Sequence, residues 1–327
     1  TVDKSVNVNQ LMSSADVTIT GGNNRRQIQV RAAGSYTQNF GTSASLISIN
    51  QGTQTLNFTS RPGGGLGSLT ALYLDYSDSD LKSSIRIGRQ NRNSAGVLGR
   101  FDGGLLGFQA NPNLRFNVVG GFPVDSSHQL YVRKDRPFYG FSVDFGRKRS
   151  PIQTTLYWFD QHAPGGFIDR RSVGLEMRVL RKRFNAFALV DYDVKFRRLN
   201  LGLITFNYNF PDSSNLSVTA DYRQAPLLRT SNALGMQDIN GNRIGDIQGL
   251  QAFFTDPQIY QAAKDNTLVT KSVTVNYTRP IVRKLQLSAD FNMTDTGGSR
   301  GVIAPAGISA DQNGFAIAPI PATGKEY

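Results

Sequence analysis

The chain has 327 residues, with 36 Lys plus Arg against 24 Asp plus Glu, a formal net charge of +12 and no cysteine. Absence of cysteine excludes disulfide staples and thiolate metal sites. Only 39% of residues are hydrophobic and mean hydropathy is −0.32; there is no run of about 18 apolar residues to make a transmembrane helix. The charge has three readings: a basic surface against anionic lipid head groups, an electropositive lumen that favours anions, or a nucleic-acid surface. The third lacks a basic helix or a ring-stacking module, so no nucleic-acid partner is expected.

Taken in order, residues 1–25 are polar and end in the turn Gly21-Gly22-Asn23-Asn24. They read as a periplasmic leader with at most a short strand at 16–20, and Thr1 as the start of a mature or trimmed product. From residue 26 the dominant signal is a period of two. Ile28, Val30 and Ala32 alternate with Gln27, Gln29 and Arg31. Tyr139, Phe141, Val143 and Phe145 alternate with Gly140, Ser142 and Asp144, and Val173, Leu175, Met177 and Val179 with Gly174, Glu176 and Arg178. Such spacing puts one set of side chains on each face of a strand.

Strands are predicted at 26–38, at 43–49 and 55–60 (or one bent strand there), and then in pairs. The pairs are 69–76 with 81–90, 104–110 with 114–121, 139–146 with 152–159, 171–180 with 184–192, 199–210 with 216–223, and 269–279 with 285–294. Each pair is joined by a short turn. Between pairs lie longer links, 91–103, 122–138, 160–170 and 224–268, with one short exception at 193–198. Short turns alternating with long loops are the arrangement of a transmembrane antiparallel up-and-down β-barrel, turns on the periplasmic side and loops outside. The predicted fold is therefore all-β, with about 14 to 16 or more strands. A propeller would repeat a blade about every 40 residues, which this chain does not. The leader is expected at 1–25 and the barrel at 26–327. After 294 the tail is rich in Ala, Pro and Gly, so the barrel is expected either to continue past Tyr327 or to close with a short strand at 314–320.

Tyr157, Trp158 and Phe159 sit together near a strand end, and other aromatics fall near strand ends too; rings prefer the head-group level, so they suggest a girdle. Charged residues in mid-strand should point inward, since Arg or Lys facing lipid at mid-bilayer costs about 2–4 kcal/mol. Polar parity then nominates a lumen set: Arg31, Arg86, Arg115, Asp144, Glu176, Arg178, Asp191, Asp221, Arg223 and Asp290. These residues could equally pair with each other and fill the barrel. The longest link, 224–268, holds the one predicted helix, capped by Asp256 with Pro257 in its first turn. A loop this long is expected to narrow the lumen, with Asp238, Arg243, Asp246, Phe253 and Tyr260 as constriction candidates.

Chemistry is sparse. His128 and His162 fall in predicted loops with no serine placed beside them, so no catalytic residue is nominated. Two lone histidines do not make a metal site. Asp238, Asn240 and Asn242 have calcium-loop spacing, but Arg243 stands where such a loop needs Gly and Gly249 where it needs Glu, so a polar turn is expected. Arg61-Pro62-Gly63-Gly64-Gly65-Leu66-Gly67 is glycine-rich but precedes a strand rather than a helix, unlike a phosphate loop. No cofactor is expected.

The segment IRIGRQNRNSAGVLGRFDGGLL, residues 85–106, resembles a stretch in some Gram-negative outer-membrane barrel domains attached to tetratricopeptide-type periplasmic domains. The resemblance rests on Arg86, Gly88, Arg89, Gln90, Arg92 and the run Gly96 to Gly103. It implies an outer-membrane channel or export barrel and carries no catalytic role. Residues 96–104 themselves read as a loop, with Arg100 and Asp102 free to pair with the wall. The expected function is a water-filled, charged path for polar or anionic solutes or polymers. Its rivals are a plugged barrel that anchors a secretion complex, an enzyme at the rim, and a soluble β-protein. Expected partners are outer-membrane lipid and lipopolysaccharide, with periplasmic or secretion-complex subunits. Selectivity is expected in 224–268 and in the arginine-rich segment before Gly103.

Overall fold

The structure, a computed structural model, describes residues 10–40, 49–51, 54–56, 65–146, 150–282 and 285–326. Alternating residues build one wall. Its long strands are β1 (Gln10–Gly22), β2 (Arg26–Asn39), β3 (Gly65–Asp78), β4 (Ser83–Ser94), β5 (Val97–Asn111), β6 (Leu114–Pro123), β7 (Phe138–Phe145), β8 (Ile152–His162), β9 (Ile168–Leu180), β10 (Phe184–Asp193), β11 (Arg198–Asn209), β12 (Asn215–Ala225), β13 (Leu268–Val282) and β14 (Leu285–Thr296). Each pairs antiparallel with its neighbours in sequence, so sheet order is chain order. The short strand Gly324–Glu326 adds to β14 as the fifteenth member of the sheet. This is the predicted up-and-down architecture. Short connections lie at one end of the wall; the long loops lie at the other, together with the two-residue turn at Ala95-Gly96 and the short link 194–197.

Register sorts the two faces. Leu106, Val118, Phe141, Trp158, Val173 and Tyr192 are successive cross-strand partners around β5 to β10. Every one is between 36% and 51% exposed. An apolar row of this length facing water would aggregate; facing acyl chains, it is the solvated surface of a transmembrane barrel. Arginine in place of Val118 is expected to cost about 2–4 kcal/mol if that row meets mid-bilayer. Urea titration of folding into lipid vesicles measures this, and an unchanged midpoint would refute the assignment of the face.

Six expectations change. Residues 10–22 form β1, not a leader: they pair with β2 residue for residue, Gln10 with Asn39 through Gly22 with Gln27. Leu11, Val17 and Ile19 lie on one parity, and Asp16 on the other bonds Arg31 at 2.6 and 3.0 Å. The Ser13-Ser14-Ala15 interruption hid the alternation. Of the strands predicted at 43–49 and 55–60, the structure describes Ile49–Gln51 and Gln54–Leu56, which pair with each other in a two-stranded sheet apart from the wall; the rest of both lies outside the described residues. The glycine-rich 61–67 falls partly outside them too, and its Gly65, Leu66 and Gly67 open β3. The link 91–103 is instead strand, because Ala95 (φ +52°) and Gly96 (φ +79°) both take the positive φ that a two-residue I′ hairpin turn requires. At 314–320 no wall strand forms; Phe315–Ile317 pairs with Val302–Ile303 in the loop region. The aromatic triplet splits by parity, Trp158 facing out beside Tyr139 (ring centroids 5.7 Å apart) while Tyr157 and Phe159 are buried.

At the long-loop end, residues 226–267 and 297–320 fold into a cap with its own core. Leu228, Met236, Ile247, Leu250, Ile259 and Ala263 are each at most 1% exposed within it. Helices α1 (Ile247–Leu250) and α2 (Asp256–Asp265) belong to this cap. The predicted helix exists, but its N-cap is Thr255, whose N–H donates to Gln258 Oε1 at 2.8 Å; Asp256 lies in the first turn.

Candidate functional site: a hairpin folded against the inner wall

Hairpin β4–β5 reaches further than its neighbours, and its tip turns inward. The Ala95 N–H donates to Glu176 Oε1 at 2.5 Å, and the Gly96 carbonyl accepts from Arg170 Nη1 at 2.8 Å. Both partners sit on β9, four strands round from β5, so the sheet must curl to bring them together. Arg170 is 1% exposed. Its Nη2 donates to Asp191 Oδ2 at 2.5 Å, which also accepts from the Tyr157 hydroxyl at 2.8 Å. The guanidinium lies 4.9 Å from the Phe159 ring centroid. Around this latch Ala95, Val97, Phe101, Val119, Phe138, Tyr157 and Phe159 form a buried apolar cluster. Gly96 is required by space as well as by φ: a Cβ there would stand 2.7 Å from Phe159 Cβ and 3.0 Å from the Tyr157 ring.

The tip divides two cavities. Toward the short turns lies one of about 570 Å³, bordered by Ser94, Arg92, Arg115, Asp144, Gln109 and Thr155. Toward the long loops lies one of about 230 Å³, bordered by Val97, Arg100, Phe101, Asp125, Arg170 and Arg229. Loop 124–137 folds back over β4 and β5 to β3, where Leu69 N donates to Ser127 O at 2.8 Å. Arg229, at the start of the 226–267 loop, is drawn below its usual range by burial, with Asp169 opposing. Nearby, Lys195 donates to Ile168 O at 2.5 Å and stands 3.8 Å from the Tyr260 ring centroid. Burial pulls its amine down to about 8, against Asp169 and Asp193.

All ten nominated lumen residues share the polar parity of the wall. Arg115, Asp144, Glu176 and Asp221 fall in one row of successive partners, Arg115 to Asp144 to Thr155 to Glu176 to Leu189 to Leu203 to Asp221. Asp191 and Arg223 share the next row. Arg178 lies opposite Phe187 and Asp290 opposite Asn276, and both are exposed on that face. Arg86 pairs with Asp75, Arg31 with Asp16, and Arg223 with Asp221. Of the ten, Glu176 and Asp191 are the ones that hold the inward tip.

The loop candidates do something different from what spacing suggested. Phe253 and Tyr260 pack against the cap core, Tyr260 edge-on to Phe196 at 6.1 Å. Asp246 caps α1, accepting from Gly249 N at 2.6 Å. Arg243 is exposed, and Asp238 closes a polar turn by accepting from Asn240 N, Asn242 N and Asn242 Nδ2 at 2.7–3.0 Å. The element that reaches the inner wall is hairpin β4–β5. Asp102, read as free to pair with the wall, binds Arg89 on the neighbouring wall strand β4 through two 2.7 Å contacts.

His128 Nδ1 meets Gly67 O at 3.0 Å, and His162 bridges the Tyr139 hydroxyl at 3.0 Å and Gly166 O at 3.2 Å. Neither has a serine hydroxyl as hydrogen-bond partner at its ring. Among the described residues no three His, Cys, Asp or Glu side chains converge for a metal.

Arg170, Tyr157, Phe159, Arg100 and Arg229 were not nominated as lumen or constriction residues. Arg170 was legible: it carries the parity of Ser172, Gly174 and Glu176, and a strand starting three residues earlier than predicted includes it.

Wall, outward apolar row and inward hairpin together define the curled wall of an up-and-down transmembrane β-barrel fold. No protein-family model matches the sequence, and no curated protein matches it either. Similar folds occur among solved structures. The anion-selective porin from Comamonas acidovorans shares 7% identity over 97% of this chain and 96% of its own, with a TM-score of 0.40. The outer membrane channel DcaP of Acinetobacter baumannii shares 8% over 99% and 96%, with a TM-score of 0.42. OccAB3 of the same organism shares 11% over 89% and 80%, with a TM-score of 0.41.

Proposed function

We infer that this chain is the wall of an outer-membrane channel that passes small polar solutes, anions in preference, by diffusion past a constriction. The outward row meets lipid and lipopolysaccharide, and no chemical step is involved. The observation that carries the reading is the Ala95-Gly96 tip, held off the sheet's own plane by Glu176 and Arg170 with cavities on both sides. A water-filled interior needs such an element to select by size. Cavities of about 570 and 230 Å³ suit small solutes rather than folded or bulky polymers. The +12 net charge supports a preference for anions.

The cap favours a second reading, a plugged structural barrel, because its apolar core packs over the long-loop end. Planar bilayers separate the two. The channel reading expects stepwise currents whose reversal potential in a KCl gradient shows anion preference. Deleting residues 238–265 should raise conductance if the cap obstructs entry. Silence of the intact chain together with currents after the deletion would establish the plug; silence of both would sink the channel.

A further inference from the structure

The smaller cavity has a chemistry that the latch does not use. Arg100 from β5, Arg170 from β9 and Arg229 from the loop after β12 border the same 230 Å³. The Nε of each is buried without a hydrogen-bond partner among the described residues. Arg170 is 1% exposed and commits its two outer nitrogens to Gly96 O and Asp191, leaving its Nε edge over. Arg100 and Arg229 form no ion pair among the described residues. The one carboxylate on this wall, Asp125, is bound to Arg136 at 2.7 Å and lies 3.7 Å from Arg133. Arg100 and Arg229 are half-buried and Arg170 is paired with Asp191, but the Nε–H of all three is cut off from water with no acceptor, and an oxyanion would supply one. One side of the cavity is apolar, with Phe138 edge-on to Phe101 at 5.2 Å and tilted against Phe159 at 5.4 Å, while Gln161, also on its border, donates to Asp169 at 3.0 Å.

We propose that this cavity binds a small organic carboxylate, its oxygens accepting from the guanidinium N–H groups of Arg100, Arg170 and Arg229 while its apolar body lies against the three phenylalanines. Planar guanidiniums match planar carboxylates better than a point charge does. The apolar half distinguishes an organic acid from inorganic phosphate. This deepens the channel reading by naming a solute class, and as a binding site it stands whether or not the barrel conducts.

Isothermal titration of the full chain in detergent tests it, with benzoate, benzamide and inorganic phosphate as probes. Benzoate should bind. Benzamide should bind about tenfold more weakly, because charge-assisted hydrogen bonds are about twice as strong as neutral ones. Phosphate should also be weaker. Arg100→Gln and Arg229→Gln should each weaken benzoate while circular dichroism stays that of the parent. If either fails to fold, Arg100→Lys and Arg229→Lys keep the charge, lose the planar fork and should show the same loss. Benzamide or phosphate matching benzoate, or folded variants that bind benzoate like the parent, would overturn the proposal. A chain that conducts without binding benzoate loses the site and keeps the channel. One that binds benzoate and carries no current loses the channel and keeps the site.

Discussion

An Arg170→Met barrel should conduct more than the parent and unfold earlier. The substitution keeps an unbranched apolar chain where the guanidinium now lies over Phe159 and removes both tethers, to Gly96 O and to Asp191. Asp191 is 1% exposed, so it would be left as a buried carboxylate with only the Tyr157 hydroxyl. Breaking one side of a buried ion pair costs about 3–5 kcal/mol. Conductance steps in planar bilayers and the temperature at which the folded gel band shifts are the two readouts. Adding Asp191→Asn should recover part of the lost stability, since the stranded charge is gone. It should not restore the bond to Gly96, so conductance should stay high. If the single variant melts early yet conducts like the parent, Arg170 is structural and the tip does not set the pore.

Gly96→Val approaches the same hairpin from the other side. Its φ of +79° disfavours any side chain, by about 1–2 kcal/mol. Its Cβ would also enter the space of Phe159 and Tyr157, at 2.7 and 3.0 Å, and overpacking of that kind costs about 1–3 kcal/mol more. The tip should be pushed off the wall, with a rise in conductance. Gly99→Ala is the control. It carries the strain of a φ of +126° but meets nothing within 4 Å. It should lose stability without a change in conductance. Equal conductance of the two variants would show that packing against Tyr157 and Phe159 does not hold the constriction.

Much of the wall was legible along the chain. Val173, Leu175, Met177 and Val179 alternate in sequence and β9 runs through all four, because a strand's two faces follow from the geometry of adjacent residues. Parity likewise put Arg115, Asp144 and Glu176 on one face, and the register lines them up. The alternation of short and long connections was enough for the order of strands. Where local pattern was broken, as at Ser13-Ser14-Ala15 in β1, pairing with β2 supplied what periodicity lacked.

What the tertiary structure decided is which segment turns inward. The longest loop, 224–268, was the obvious constriction by length, yet its apolar residues find each other and Val302 and Ile308, and fold as a cap. Hairpin 91–103 was read as a link, yet Ala95 and Gly96 reach residues 81 and 74 positions away. No local pattern carries a contact of that separation; it exists only once the sheet has curled and β9 faces the tip. The same curvature gathers Arg100, Arg170 and Arg229 from three distant parts of the chain around one cavity. Sequence alone determined most of the wall, β1 and the hairpin at 91–103 excepted, because period and turn length act between neighbours. Only the curled fold decided the site, because burial and charge act between whatever surfaces the fold brings together.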